Sequence, residues 1–179
     1  MTRRSLPFVI ACGVLALVAS CGADERATPV DGWTTVTDGP SGARIDLPEA
    51  AESTSDTARA ANGPAVTLRN YTASAAGGAV EVGFNVLDTG GGRYDFDAGV
   101  DQVATSLDGR VVSSRPTAVD GHAAVDVEVA YGGGQVVLFQ LVDTDDHVLQ
   151  PLVAGPADRR HLVEETFEHL TSSLDVETS

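Results

Sequence analysis

Lysine is absent from the 179 residues. No lysine nucleophile or Schiff base is therefore available. Eleven arginines face 26 acidic residues, a formal charge of −15. Phosphate backbones are bound by clustered Lys and Arg, so nucleic acid is not an expected partner. Anionic headgroups likewise repel the body of the chain. Cysteine is scarce too. Cys12 lies inside an apolar run and Cys21 just beyond it, which leaves no pair for a disulfide in the rest of the chain. The fold must then be held by packing alone. No apolar run reaches the roughly 20 residues that a membrane-spanning helix needs. Familiar active-site motifs are missing as well: there is no HExxH, no GxSxG elbow and no P-loop.

What is present begins at the first residues. Arg3 and Arg4 precede an uncharged run from Leu6 to Ala19, then come Ser20, Cys21 and Gly22. A positive start, an apolar stretch of roughly 7–15 residues and small residues at a junction make a secretory signal peptide. The stretch Val18-Ala19-Ser20-Cys21 resembles a bacterial lipobox: an aliphatic residue, two small ones, then the cysteine. The resemblance implies that Cys21 receives a diacylglyceryl group and becomes the first mature residue. Ser5, Leu6 and Pro7 fit a twin-arginine signal poorly, so the general secretory route is expected. One acyl chain gives only marginal membrane binding, at about 0.8 kcal/mol per buried methylene, whereas two chains anchor durably. The expected location is the cell membrane, lipid-anchored on the extracytoplasmic face. All 26 acidic residues follow Cys21. Their charge suits a soluble extracellular body, or a surface that attracts cations or a basic partner.

Residues 1–20 are thus read as a lipoprotein signal peptide. Residues 21–31 are the lipidated cysteine and a flexible tether, small, charged and broken by Pro29. Residues 32–175 form a single α+β domain, and residues 176–179 an acidic tail. Two short strands are expected around the turn Asp38-Gly39-Pro40-Ser41-Gly42, and residues 49–63 read as a loop. A hairpin follows over Ala65–Ala73 and Val80–Leu87. In its second strand Val80, Val82, Phe84 and Val86 alternate inward, with Glu81, Gly83 and Asn85 outward. The spacing of Phe96, Val100, Val103, Ala104 and Leu107 predicts a helix over about Asp97 to Leu107, with Asp95 or Asp97 capping it and Gly109 past its end. Four strands in a meander follow, turned at Asp120-Gly121, at Gly132-Gly133-Gly134 and at Asp143-Thr144-Asp145-Asp146. A last helix over about Ala157 to Leu170 buries Leu162, Val163, Thr166, Phe167 and Leu170. The expected architecture is α+β: one twisted antiparallel sheet of about six strands with two main helices packed on it.

This layout resembles the PsbP-like fold of PsbP, Mog and DcrB-type proteins, and the actinobacterial LpqN-type lipoproteins. The resemblance rests on the start at Trp33, on Ile45-Asp46-Leu47-Pro48, and on Glu81 to Val86. It also rests on Thr117 to Asp126 around the Asp120-Gly121 turn and on the closing helix from Phe167 to Leu174. It implies a non-enzymatic binding or assembly role and supplies no site residues.

Candidate sites are few. His161, Glu165 and His169 share one helix face that could meet a metal, but that face lies opposite the apolar stripe and reads as solvated. Asp143, Asp145 and Asp146 begin like a calcium loop, yet Val148 and Ala154 stand where its glycine and glutamate belong. Asp95, Asp97 and Asp101 are explained by helix capping and the helix dipole. His122 and His147 stand near strand starts with no evident acid or nucleophile beside them. No catalytic, cofactor or metal residue is assigned, and Cys21 alone is given a chemical role. The expected function is a lipid-anchored, non-enzymatic binding or accessory module of the cell envelope. Its partner is an envelope protein or a small ligand. The competing readings are a carrier of a small hydrophobic or lipid ligand, and a hydrolase with an unrecognised site.

Overall fold

The computed structural model describes residues 32–49, 51–59 and 65–176. Cys21, the expected signal peptide and the tether lie outside the described residues. Among the described residues nine strands and two α-helices follow in chain order. Strands β1 (Trp33–Thr37) and β2 (Arg44–Pro48) form a separate two-stranded hairpin. Strands β3 (Glu52–Arg59), β4 (Ala65–Ala75) and β5 (Val80–Asp88) lead to helix α1 (Phe96–Ser106). Then come β6 (Arg110–Val119), β7 (His122–Tyr131), β8 (Gln135–Asp143), β9 (His147–Pro156) and helix α2 (Arg160–Ser172). The main sheet has seven strands in the order β3-β4-β5-β9-β8-β7-β6, every neighbouring pair antiparallel.

The expected α+β class, the hairpins, the meander and both helices are present, but the sheet is larger than about six strands. The added strand is β3, where a loop was expected. Its sequence, Glu-Ser-Thr-Ser-Asp-Thr-Ala-Arg, has no apolar alternation because β3 is an edge and Glu52 to Thr57 are all exposed. A strand with no buried face carries no period-2 signal.

The sheet is covered on both faces. On the upper face α2 crosses β8 and β9, and the β1–β2 hairpin lies over β4 and β5. Ile45, Leu47, Val80, Val82, Phe84, Val86, Leu149, Val153, Val163 and Leu170 meet there at 0–1% exposure. On the lower face α1 packs on β6 and β7, with Val100, Val103 and Ala104 against Val125, Val127, Val129 and Phe139. Each such aliphatic or aromatic side chain contributes roughly 1.5–3 kcal/mol on burial, so packing holds the domain without a disulfide. Two-sided burial also corrects the reading of β5. Gly83 and Leu87, on the face expected to point outward, are buried.

Turn chemistry follows the sequence closely. Asp120 (φ +49°) and Gly121 (φ +85°) form the two-residue connection between Val119 and His122, the double positive φ that favours Asp-Gly. Asp95 caps α1 by accepting from the Ala98 N–H at 3.1 Å. At the other end of α1 Asp108, not Gly109, takes the left-handed position (φ +48°). Gly109 is needed for another reason: a Cβ there would lie 2.7 Å from Val129 Cγ1. Glycine thus lets the chain leave α1 directly against β7.

Candidate functional site

The most organised polar constellation lies on the upper face, under the turn of the β1–β2 hairpin. Strand β4 places Arg69 and Tyr71 two residues apart, hence on one face. The β4–β5 register pairs Arg69 with Val86, which sets Asp88 diagonally beside it. The β5–β9 register pairs Asp88 with His147. The hairpin turn then lowers Asp38 onto this group. Arg69 Nε donates to Asp38 Oδ1 at 2.6 Å and Nη2 to Oδ2 at 3.1 Å. Tyr71 donates its hydroxyl to Asp38 Oδ1 at 2.9 Å, while Ser41 donates its hydroxyl at 2.7 Å and its N–H at 3.1 Å to Oδ2. Arg69 Nη2 also lies 2.8 Å from Asp88 Oδ1, which is 3.4 Å from His147 Nε2.

Exposure grades along this chain of charges, from 0% at the Asp38 side chain through 11% at Arg69 to 36% at Asp88. Burial pushes the Asp38 carboxyl up, but the hydrogen bonds from Arg69, Ser41 and Tyr71 outweigh it and hold the group below the ordinary carboxylate range. The Tyr71 hydroxyl is pushed up to about 12 by burial and by its bond to the Asp38 carboxylate. Arg69 is raised further above the usual guanidinium value by Asp88 and Asp38, against the effect of burial. All three groups are thus fixed in the charge state that locks the turn. Ser41 Oγ serves Asp38 and not His147, so these groups form no Ser–His–Asp relay. What the arrangement does chemically is bolt the hairpin to the sheet. Other ties reinforce it: the Ser173 hydroxyl accepts from the Asp46 N–H at 3.0 Å, and Arg44 pairs with Asp175.

A second polar group sits beside α2 on β7 and β8. Arg160 donates two bonds to Glu128, at 2.6 and 3.0 Å, and one to Glu164 at 2.7 Å. Gln140 donates to Asp126 at 2.7 Å. Glu128 is 7% exposed. The Glu128 and Glu164 carboxylates raise the affinity of Arg160 for its proton, and the guanidinium in turn compensates the buried Glu128.

The residues singled out in the sequence are scattered. On α2 His161, Glu165 and His169 are all exposed, as the sequence suggested for this face, and His169 also lies against Trp33, ring centroids 4.3 Å apart. Among the described residues no three His, Cys, Asp or Glu side chains are grouped to hold a metal ion. Asp143 Oδ2 accepts from the Tyr94 N–H at 3.2 Å, and the carbonyls of Asp145 and Asp146 hold Thr89. The acidic turn therefore fastens the loop that enters α1. Asp97 and Asp101 remain exposed beside the cap at Asp95. His122 Nε2 is buried without a described hydrogen-bond partner. His147 corrects the sequence reading, since it does have an acid beside it, Asp88. That pair, and the Asp38–Arg69 pair, join residues far apart in sequence. Only the strand registers bring them together, so no local spacing could announce them.

No family model matches the sequence, and no curated protein matches it. Among solved structures, the chain is similar to cyanobacterial PsbP (CyanoP) from Synechocystis. The TM-score is 0.57 at 14% identity, over 89% of this chain and 99% of that one. A protein of unknown function from Pseudomonas aeruginosa, PA94, gives a TM-score of 0.44 at 11% identity, over 83% and 99%. The chain has a PsbP-like α+β fold. At such identity the likeness is one of fold.

Proposed function

We propose that this chain is a bacterial lipoprotein, anchored through Cys21 to the extracytoplasmic face of the cell membrane, whose PsbP-like domain is a non-enzymatic binding module of the LpqN type. The observation that carries the reading is the junction Val18-Ala19-Ser20-Cys21 after a charged start and a short apolar run. The first described strand, β1, starts at Trp33, well after Cys21 in the sequence. The module reading is supported by how the polar interior is used. Asp38, Arg69, Tyr71 and Ser41 are spent on one another in holding the hairpin. Fold alone does not assign function, and the non-enzymatic role rests on this use of the polar groups. The carrier alternative would need space between α2 and the sheet, where Val80, Val153, Val163 and Leu170 are already packed.

The test is metabolic labelling with a palmitate analogue, followed by membrane fractionation. The native chain should take up label and sediment with membranes, and Cys21→Ser should lose the label and be released or stall unprocessed. A native chain that never labels would overturn the anchor. Crosslinking in intact cells addresses the module: one reproducible envelope partner is expected, and scattered adducts without a recurring partner would count against it.

A further inference from the structure

Strand β6 is one edge of the seven-stranded sheet. Residues 112–118 are exposed without interruption, and Val112 is the one exposed large hydrophobic among the described residues. Such an edge offers a row of backbone groups to an added strand. Its charge sets it apart. In a chain with 26 acidic residues, β6 carries Arg110 and Arg115 and no acid. Neither arginine is in an ion pair among the described residues, in contrast to Arg44, Arg69 and Arg160.

Five residues apart in a regular strand, Arg110 and Arg115 would point to opposite faces. A β-bulge changes that. Arg110 pairs with Ala130 and Arg115 with Asp126, the register slipping between Val111 and Ser113. Ala130 and Asp126 are four residues apart in β7 and share a face, so their partners do too. The bulge therefore sets both arginines on the upper face, about 13 Å apart along the strand, with Arg115 across from Asp126 of β7 and the outer side of the edge open to each. Ser113 and Thr117 share that face. The lower face of the edge holds Val111, Ser114, Pro116 and Ala118, small or apolar, opposite Val129, Val127, Val125 and Ala123.

We propose that the β6 edge docks an extended acidic segment of a partner protein, added as a further strand. That segment would carry carboxylates on one face, opposite Arg110 and Arg115, and small apolar side chains on the other. The inference rests on the reading of the domain as a binding module and names the surface it uses. A second β6 is a poor occupant. It would set the arginines of one copy against those of the other, whereas an acidic strand meets them with opposite charge.

The experiment uses the full-length chain in detergent and a labelled ten-residue peptide alternating glutamate and valine, read by fluorescence anisotropy and by amide hydrogen exchange. Binding should weaken with added salt and slow exchange across residues 110–119. The double substitution Arg110→Glu/Arg115→Glu should weaken it about tenfold or more, given two reversed cross-strand charge pairs, and Arg110→Lys/Arg115→Lys should largely keep it. Equal binding of a lysine–valine peptide, or protection on another strand, would overturn the proposal. Salt-sensitive self-association without peptide, lost on Glu52→Lys/Asp56→Lys, would give the edge to β3 of a second copy and would overturn it too. Labelling of Cys21 is indifferent to all of these outcomes, so the anchor reading stands or falls separately.

Discussion

Asp38→Ala removes a fully buried carboxylate that accepts from Arg69, Tyr71 and Ser41. Deleting one partner of a buried ion pair costs roughly 3–5 kcal/mol, because the other charge is left uncompensated. Arg69 keeps a second carboxylate, Asp88, at 2.8 Å, which places the expected loss at the lower end, about 3 kcal/mol. For a domain of this size that is a fall in Tm of roughly 6–12 °C. Urea unfolding followed by the fluorescence of Trp33, the only tryptophan, is the assay. It reports on the hairpin itself, since Trp33 opens β1 and lies against His169. The transition midpoint should drop with little change in slope. In Asp38→Ala/Arg69→Met the two losses should be clearly less than additive, since the orphaned charge has gone as well. A loss below about 1 kcal/mol, the range of an exposed pair, would refute the view that this network locks the hairpin.

Three further expectations concern the same fold. The Asp38 carboxyl is held below its ordinary range in the folded state. Its contribution is therefore complete above the unfolded carboxylate pKa of about 4 and disappears as pH falls through the folded value. Acid unfolding of Asp38→Asn should lack that component, and identical acid profiles for the two proteins would contradict it. Gly109→Ala puts a methyl 2.7 Å from Val129 Cγ1 and 3.0 Å from the Ala130 carbonyl oxygen, a clash worth roughly 1–3 kcal/mol in thermal or urea unfolding. Gly132→Ala, with nothing within 4 Å of the added atom, should stay within about 0.5 kcal/mol of the native chain. Equal effects at the two glycines would show that close approach is not what Gly109 provides.

Elements with one buried face were legible in the sequence. The apolar spacing from Phe96 to Leu107 marks α1 closely, and Asp120-Gly121 marks its hairpin to the residue. Strand β3 was not legible, because an edge exposed on both faces leaves no pattern in its side chains. The second buried face of β5 was hidden for a related reason: Gly83 is buried without looking apolar. The polar network was beyond the sequence altogether. Asp38 looks like one more turn aspartate until the packed hairpin sets it on Arg69 and Tyr71. The same holds for β6, where a one-residue bulge decides which face Arg110 takes. Periodicity rules assume regular strands and mislead across such a slip.

The mass of the mature protein, measured intact from membranes, tests the central reading most directly. A chain that begins at Cys21 and carries a diacylglyceryl group on it, with loss of that mass in Cys21→Ser, is the expected result. A chain in membranes that begins at Met1, or at any residue other than Cys21, or that carries no lipid, would contradict it.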